Sequence, residues 1–249
     1  MAHPLTAAIT GPPDGATVVL VHGALDRSYS FRRVVERLPD LRVVTYDRRG
    51  YGDSVAAGPP SGLAQHADDL LEIIGAGPAT LVAHSFGAHV AVLAAMARPA
   101  AVLSLGLWEP PVPWMDFWPD APRENVARIA AAEDPAAVAE RGAKMMMGKE
   151  RWLALPEEVR ERRRAEGTAF LIDMASELEA PYDWAELRTP VIIGVGEQTW
   201  PYSLAACREL ATRLGCELFV AEGQPHVAHA TAPDRFAEFV RLAVALGRR

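Results

Sequence analysis

Short apolar runs rich in β-branched residues alternate with longer amphipathic stretches along most of this chain. The alternation predicts parallel strands joined by crossover helices, and the near-continuous apolar character of the runs indicates a sheet that is covered on both faces. Six runs bounded by turn residues are predicted strands: 17–21, 42–46, 80–83, 102–108, 191–195 and 217–221. Five amphipathic stretches are predicted helices: 30–38, 63–75, 86–98, 202–214 and 233–246. We therefore expect an α/β fold with a mostly parallel, doubly wound sheet.

The alternation is interrupted once, between Glu109 and Pro190. Roughly eighty residues there show no strand pattern, opening with PPVPWMDFWPD and continuing through two or three helical patterns. A segment of this length inside a compact domain usually has structure of its own and serves a function. We predict a helical cap at 110–185, lying over the carboxyl edge of a core that is formed by 1–109 and 186–249.

Within the predicted cap, one stretch is expected at the surface and another in the interior. In PEEVRERRRAEG (156–167), four glutamates, Glu166 among them, interleave with the arginines at helical spacing. This pattern predicts a solvated face of neutralising pairs. The buried stripe of the cap is predicted to comprise Val159, Phe170, Met174 and Leu178.

The composition excludes several function classes. Of 249 residues, 50% are hydrophobic and 23% charged, and the formal net charge of -7 includes no basic stripe, which argues against nucleic-acid binding. The chain has no apolar run of membrane-spanning length and its first residues lack a signal-peptide pattern, so we expect a cytoplasmic protein without membrane insertion. Cys207 and Cys216 are expected to be free thiols, and no Cys/His spacing indicates a metal site.

The stretch VAHSFGAH (82–89) places Ser85 between a predicted strand and a predicted helix. A turn this sharp holds its central residue in strained dihedrals, and it tolerates only small residues two positions before and after, here Ala83 and Gly87. That geometry lifts the hydroxyl above the sheet, as a nucleophile requires. The alternative interpretation of these few residues is a small residue at the mouth of a helix.

Four segments, taken in their order along the chain, resemble the α/β-hydrolase superfamily. The stretch around Ser85 resembles its Gly-x-Ser-x-Gly nucleophile elbow, with Ala83 in place of the first glycine. The other three resemble its His-Gly loop, its Asp-x-Arg-Gly-x-Gly-x-Ser stretch and its late histidine loop: VLVHGA (19–24), YDRRGYGDS (46–54) and GQPHVAHA (223–230).

The resemblance implies a role for particular residues of this chain. Ser85 is expected to be the nucleophile and His226 the general base. The backbone N–H groups of Ala24 and Phe86 are expected to form the oxyanion hole. Asp47 matches an aspartate that is ordinarily structural in this superfamily, so we assign it no catalytic role.

Among the seven histidines, His226 is the favoured base. His229 is the rival of His226 as the base, since it follows three residues later. The other five are expected in the oxyanion loop, at structural or rim positions beside the serine, or at the surface: His22 in the loop, His84 and His89 beside the serine, and His3 and His66 at the surface.

The carboxylate that should orient the histidine is missing from its usual place. A histidine base needs an acid to fix its tautomer and to stabilise the imidazolium. After the strand 191–195 the superfamily usually has Gly-x-x-Asp, whereas this chain has GEQT, with Thr199 at the aspartate position. Glu109, at the end of strand 102–108, is the favoured substitute, because some branches of the superfamily place the acid there. Glu197 and the absence of any acid stay open, and the alternative role of Glu109 is a carboxylate at the cap hinge.

These residues predict a serine hydrolase that cleaves a carboxylic ester or thioester through an acyl-enzyme on Ser85. This chemistry needs no metal or organic cofactor, and the expected partner is a small-molecule substrate; the oligomeric state stays open. Four aromatic residues are expected to form the wall of a pocket for a small or medium apolar substrate, or else to seal the cap against the core: Trp114, Phe117, Trp118 and Trp200.

Two other function classes stay open at the level of sequence. One is a non-hydrolytic enzyme on the same scaffold, such as a lyase, cyclase, acyltransferase or cofactor-free perhydrolase. The other is a ligand-binding protein that has lost catalysis, because a fold alone never fixes activity. Covalent labelling of Ser85 and turnover of simple esters separate these classes from the hydrolase.

Overall fold

Seven strands form a single sheet in the computed structural model, which describes residues 5–179 and 182–248. They are β1 (Ala7–Thr10), β2 (Thr17–Val21), β3 (Arg42–Tyr46), β4 (Ala79–His84), β5 (Val102–Trp108), β6 (Val191–Gly196) and β7 (Glu217–Ala221). The order across the sheet is β1-β3-β2-β4-β5-β6-β7, and every neighbouring pair is parallel except β1 with β3. The predicted α/β fold with a mostly parallel sheet is confirmed.

The six predicted strands are all present, and the sheet has an edge strand that the sequence did not predict. β1 pairs antiparallel with β3, and its four residues are exposed. Because such a strand buries no apolar run, it lacks the pattern that identifies the others. β4, by contrast, is buried along its whole length between β2 and β5, and the chain leaves it at Ser85.

Helices connect most of the strands along the chain and follow the last one. In chain order, the α-helices of the described residues are α1 (Arg32–Val35), α2 (Leu63–Ile74), α3 (Gly87–Ala97), α4 (Asp120–Ala130), α5 (Pro135–Met147), α6 (Lys149–Ala154), α7 (Glu157–Ala165), α8 (Gly167–Leu178), α9 (Pro201–Leu214), α10 (Ala228–Thr231) and α11 (Pro233–Leu246). Short 3-10 turns occupy Ser28–Phe31, Gly52–Ala57, Pro99–Ala101 and Trp184–Glu186. The predicted helix 30–38 is shorter as an α-helix, because its ends form bonds between residues three apart.

Two separate hydrophobic cores lie on the two faces of the sheet. Val19 and Leu81 point into the core that also contains the apolar residues of α2, α3 and α9. Their neighbours Val18 and Val82 point the opposite way, into the core that contains those of α1 and α11. This alternation along each strand is the physical basis of a doubly wound sheet, as predicted.

The insertion between β5 and β6 contains five α-helices in its described part, α4 to α8, where the sequence predicted two or three. Gly148, with a φ of +88°, ends α5 and separates it from α6, and Pro156 directly precedes α7. Breakers at this spacing divide long helical patterns into several short helices. The extent predicted for the cap, 110–185, stays a prediction.

A buried ion pair joins the inserted helices to the core. Arg48, in the loop after β3, donates to Asp173 of α8 at 2.8 Å, and both side chains are fully buried. Tyr51 donates to the same carboxylate at 2.6 Å. His66, which the sequence placed at the surface, is buried with its Nε2 3.1 Å from Asp173. The prediction for His66 was wrong because Arg48 and Asp173, which cover this polar face of α2, are distant from it in sequence. Without them, the sequence pattern of the helix is that of a solvated face.

The predicted solvated face of 156–167 also needs a correction. Glu166 is only 1% exposed, and it accepts hydrogen bonds from Arg27 and from the Gly52 N–H. Glu157 does lie at the surface, where it accepts a hydrogen bond from Arg164 at 2.6 Å. Helical spacing could not identify the partner of Glu166, because Arg27 comes from a loop of the core, 139 residues earlier.

The two cysteines lie in or beside the sheet's helices and strands. Cys207 in α9 is buried and Cys216, directly before β7, is half-buried; both are free thiols, as predicted. In the part of the chain that the structure describes, the helices are too short or too polar to cross a membrane. His3 lies outside the described residues.

Candidate active site

Ser85 occupies the turn between β4 and α3. Its φ is +52°, in the left-handed region that costs a non-glycine residue about 1–3 kcal/mol. Its N–H donates to the Trp108 carbonyl at the end of β5 at 2.8 Å, which holds the turn against the neighbouring strand. Ala83, two residues earlier, is fully buried in the sheet. The structure thus has the strained strand-to-helix turn that the sequence predicts.

Two glycines allow the loop after β2 to pack directly against this turn. A Cβ atom on Gly87 would lie 2.7 Å from the carbonyl oxygens of Val21, at the end of β2, and His22, which is closer than carbon and oxygen normally approach. A Cβ atom on Gly23, in the loop itself, would lie 3.1 Å from the Cβ of Ser85. The close packing brings Ala24 to the wall of the cavity that Ser85 also lines.

The two residues predicted to supply the oxyanion hole lie close to Ser85 in the chain or in the cavity. Ala24 approaches it from the loop after β2, and Phe86 follows it in the chain as the N-cap residue of α3. The N-terminal end of a helix carries a partial positive charge, which favours a developing anion there. The Phe86 ring is fully buried, with the Arg48 guanidinium 4.8 Å from its centre, so the packed side chain anchors the backbone at this position.

His226 lies in the loop between β7 and α10, where hydrogen bonds hold its backbone. Its carbonyl oxygen accepts from Trp108 Nε1 at 3.0 Å and from His84 Nε2 at 3.1 Å. Its ring packs near those of Trp200 and His84, with centroids 5.0 and 4.6 Å away. The side chain is 17% exposed and lines the same cavity as Ser85.

Glu109 is the carboxylate that contacts His226. Its Oε2 lies 2.6 Å from His226 Nδ1, and the side chain is buried. The Thr199 and Ser203 hydroxyls donate to the same oxygen at 2.6 and 3.1 Å, and the Gly196 N–H donates to Oε1 at 3.0 Å. Glu109 reaches this place from the end of β5 with a φ of +45°, a third strained position beside Ser85 and Leu25. The structure therefore brings the acid favoured from the sequence to the histidine.

The surroundings of Glu109 keep it ionised. Burial by itself would raise the pKa of the carboxyl, because a charged group loses its hydration. The hydrogen bond and charge of His226 outweigh burial, together with donation from Thr199 and Gly196, and the pKa falls below its usual range. An ionised Glu109 accepts a hydrogen bond from the Nδ1–H of His226, which leaves Nε2 as the nitrogen that can take up a proton.

Thr199 occupies the position at which the superfamily usually has the acid, and here it binds the acid instead. Its hydroxyl donates a hydrogen bond to Oε2 of Glu109. The position thus supports a carboxylate from the neighbouring strand instead of supplying one. Glu197, the alternative acid, is exposed, and its carboxylate accepts from the Gly223 N–H at 2.9 Å.

His229, the rival base, is buried in a cluster with His84 and the half-buried Asp26. Its Nε2 lies 3.3 Å from Asp26 Oδ2, its ring centroid lies 4.3 Å from that of His84, and one ligating atom from each of the three lies within 4.8 Å of the others. Although burial opposes ionisation, the hydrogen bond from His229 keeps the pKa of Asp26 below its usual range. Sequence spacing did not reveal this cluster, because its members come from three distant segments.

Two further histidines make structural contacts. The Arg48 N–H donates to Nε2 of His22 at 2.8 Å, while Nδ1 of His22 donates to the carbonyl of the next residue. Burial and the nearby guanidinium of Arg48 lower the pKa of His22 to about 4, so the ring is neutral. His89 is buried, and its Nδ1 lies 2.8 Å from the Tyr182 hydroxyl.

A cavity of about 550 Å³ lies between the carboxyl edge of the sheet and the inserted helices. Ser85, Glu109 and His226 line its floor, and two of the four predicted wall residues, Trp118 and Trp200, line its sides. The inserted helices contribute mainly apolar side chains: Pro122, Val126, Ile129, Met145, Met146, Phe170 and Met174.

The other two predicted wall residues lie elsewhere. Trp114 packs edge-on against the Tyr182 ring, with centroids 5.6 Å apart, and Phe117 lies beneath the Arg213 guanidinium at 4.7 Å. Neither is among the described residues that line the cavity. Trp114 also lies 5.3 Å from the ring of His89 of α3, and Arg213 belongs to α9, so these contacts fit the alternative prediction, in which the aromatic residues seal the cap against the core.

Glu177 is a lining residue that the sequence analysis missed. It follows Met174 and Phe170 on the face of α8 that borders the cavity, and both of those are buried, as predicted. Glu177 is only 4% exposed, and it lines the cavity. Burial and the charge of Asp173 raise its pKa to about 8. The available signal was a charged residue inside the predicted apolar stripe, directly before Leu178.

Comparison with known proteins identifies the family. A model of the alpha/beta hydrolase family matches residues 18–239. The chain belongs to this family. The resemblance that rested on four motifs is therefore confirmed, and the seven-stranded sheet with its inserted helices, as described above, is an α/β-hydrolase fold.

Proteins of different activity are similar to this alpha/beta hydrolase. Lipase LipV of Mycobacterium tuberculosis is 36% identical over 108 residues, which cover 41% of this chain and 40% of LipV, so the match spans about two fifths of that relative. An esterase from Thermogutta terrifontis superposes with a TM-score of 0.72 at 22% identity. The haloalkane dehalogenase DbeA from Bradyrhizobium elkani superposes with a TM-score of 0.73 at 21% identity, and each superposition covers 98% of this chain and 94% of the other. Such structural likeness shows the fold, and activity has to be argued from the site.

Proposed function

We propose that this alpha/beta hydrolase is a serine hydrolase that cleaves a carboxylic ester or thioester of a small to medium apolar substrate. One observation carries the proposal: the buried Glu109 carboxylate is hydrogen-bonded to His226, which lines the same cavity as Ser85. The order Ser85, Glu109, His226 along the chain is also that of the triads in this fold.

In the proposed reaction, Ser85 attacks the carbonyl carbon of the substrate while Nε2 of His226 takes the proton of the hydroxyl. Glu109 stabilises the imidazolium that forms and holds the ring in the required tautomer. His226 then protonates the departing alcohol or thiol, which leaves an acyl group on Ser85. Water attacks this ester with the same base, and the acid product and the free serine are regenerated.

Negative charge develops on the carbonyl oxygen during both steps. The N–H groups of Ala24 and Phe86 are the proposed donors, because one lies on the cavity wall and the other follows the nucleophile at the start of α3. In comparable enzymes a single donor of this kind contributes roughly 3–4 kcal/mol to lowering the barrier.

The cavity supports a substrate of limited size. Its volume of about 550 Å³ falls within the range of small-molecule sites, which is roughly 300–1,000 Å³. Met145, Met146 and Met174 on its wall can adapt to chains of different shape, because an unbranched thioether side chain has several accessible conformations. Trp118 and Trp200 add flat apolar surface close to the reacting groups.

Hydrolysis of p-nitrophenyl esters of increasing acyl length tests the proposal. We expect turnover by the wild type with an optimum at a short or medium chain, and a loss of at least about 10³-fold in Ser85→Ala. Ser61→Ala, which changes an exposed serine before α2, is the matched control and should keep the wild-type kcat/KM. Equal turnover by Ser85→Ala and the wild type, or no turnover of any ester, contradicts the proposal.

A further inference from the structure

We infer that Glu177 forms a polar subsite within the cavity, which binds a hydroxyl or amide group that the substrate carries apart from its scissile carbonyl. The inference rests on the proposed function and narrows its substrate class. An ester whose acyl or alcohol part bears an uncharged hydrogen-bonding group would satisfy both the apolar wall and this carboxyl.

Glu177 occupies a place where an apolar side chain would complete the wall. Helix α8 presents Phe170, Met174 and Glu177 to the cavity, at spacings of four and three residues that define one helix face. The first two are buried and apolar, so a leucine or methionine would continue the surface. Burying a carboxyl at this position costs free energy that an apolar side chain would not, because the carboxyl loses hydration. Small-molecule cavities are mainly apolar and carry a few polar groups that orient the ligand, and Glu177 is such a group in this wall.

Arg48, the cation that lowers the pKa of Glu177, is already paired. Asp173, one turn earlier on α8, accepts hydrogen bonds from Arg48 at 2.8 Å and from Tyr51 at 2.6 Å. The charge of Arg48 is thereby compensated, and it lowers the pKa of Glu177 less than burial and Asp173 raise it. With a pKa of about 8, Glu177 is mostly the neutral acid at neutral pH.

Two tyrosines complete the surroundings of Glu177. Tyr182 lies near it, but its hydroxyl is 2.8 Å from His89 Nδ1 and is therefore engaged. Tyr202, at the start of α9, lines the cavity as well, and burial followed by the charges of Glu109 and Glu177 raises its pKa. Neither tyrosine supplies a positive charge, so the electrostatic surroundings favour an uncharged partner for Glu177.

The protonation state decides which groups the subsite accepts. A neutral carboxyl offers one O–H donor and retains acceptor capacity, which matches a hydroxyl or a primary amide that can also donate and accept. It supplies no positive charge to a carboxylate or phosphate. An ammonium group would first require Glu177 to lose its proton, and so it is the competing ligand that the experiment must exclude.

Three p-nitrophenyl esters of equal chain length test the subsite: the hexanoate, the 6-hydroxyhexanoate and the 6-aminohexanoate. Glu177→Leu removes donor and acceptor, whereas Glu177→Gln keeps both. We expect the ratio of kcat/KM for the hydroxy ester over the plain ester to fall about 10- to 100-fold in Glu177→Leu and to stay within about threefold in Glu177→Gln. Glu179→Gln, an exposed carboxylate two residues later, is the matched control and should leave the ratio unchanged.

The pH dependence provides a second readout. Above pH 8 Glu177 ionises, and a charged carboxylate disfavours an apolar chain beside it. The KM of the wild type for the hexanoate should therefore rise above pH 8, while that of Glu177→Gln should not rise with it. A KM with the same pH dependence in both proteins contradicts the placement of Glu177 in the substrate cavity.

Binding measurements separate this inference from the proposed function. The same esters can be bound to Ser85→Ala and followed by the fluorescence of Trp118 and Trp200, which line the cavity. If the proposed function fails, the wild type hydrolyses none of the esters, and the preference is still measured by binding. The inference is overturned if Glu177→Leu leaves the preference for the hydroxy ester unchanged, or if the amino ester is preferred to the hydroxy ester.

Discussion

Replacing Glu109 by glutamine removes one negative charge from the contact with His226 while keeping the shape of the side chain. If the triad is Ser85, Glu109 and His226, the substitution leaves the cavity intact and weakens the general base. We expect kcat to fall about 10⁴-fold, as in a serine protease whose triad aspartate becomes asparagine.

The contacts of Glu109 account for this magnitude. Opposite unit charges at the 2.6 Å separation of Oε2 and His226 Nδ1 attract by about 6 kcal/mol when the effective dielectric constant is near 20. Glutamine also meets a conflict of donors, because Oε1 accepts from the Gly196 N–H while Oε2 accepts from His226, Thr199 and Ser203. Whichever way the amide turns, its NH₂ group faces a donor, and facing His226 it selects the wrong tautomer. Four orders of magnitude correspond to about 5 kcal/mol in the barrier, within the Coulomb estimate.

Steady-state kinetics with the best p-nitrophenyl ester measure the effect, and thermal unfolding verifies that the variant is folded. Glu197→Gln is the matched control, since Glu197 is the exposed acid on the neighbouring loop and contacts Gly223. Its kcat should remain within about twofold of the wild type. The reasoning is refuted if Glu109→Gln keeps its activity, or if Glu197→Gln is the variant that loses it.

Two further predictions concern groups that position the site. Asp173→Asn should lower the free energy of unfolding by about 3–5 kcal/mol in urea, because Arg48 is left buried without a counter-charge; Asp68→Asn, at an exposed position on α2, should stay within about 0.5 kcal/mol. Although burial opposes ionisation, Arg48 lowers the pKa of Asp173 to about 2. The free energy of unfolding that the ion pair contributes is therefore present above pH 4 and is lost as the pH falls towards 2. Asp173→Asn should lack this pH-dependent contribution, and equal pH profiles of unfolding for the two proteins would exclude the ion pair. Gly87→Ala places a Cβ atom 2.7 Å from two carbonyl oxygens, so we expect a lower Tm and at least a tenfold loss of ester turnover, and unchanged values would show that the turn is not tightly packed.

Most of the sheet could be predicted from the sequence, because buried parallel strands are continuous apolar runs and the breakers between them are local signals. The ranges 17–21, 42–46, 102–108 and 217–221 agree with β2, β3, β5 and β7 to the residue. β1 escaped prediction because an exposed edge strand has no buried face to leave a pattern. The inserted helices were undercounted because their ends depend on single residues, such as Gly148, whose effect on a helical pattern is weak.

The site divides in the same way between local and distant signals. Short sequence motifs predict the turn at Ser85 and the loop at His226, and the structure brings both residues to one cavity. The pairing of Glu109 with the histidine required a contact across 117 residues, which a motif could only suggest. The burial of His66 and the position of Glu177 depend on how the inserted helices pack against the core, and no local pattern encodes that packing.

The site of covalent modification by a fluorophosphonate tests the central claim most directly. We predict one adduct per chain, mapped by tandem mass spectrometry to Ser85, and a labelling rate that falls at least about 100-fold in His226→Gln. An adduct on any other residue, or labelling of Ser85 at the wild-type rate without His226, would contradict the account.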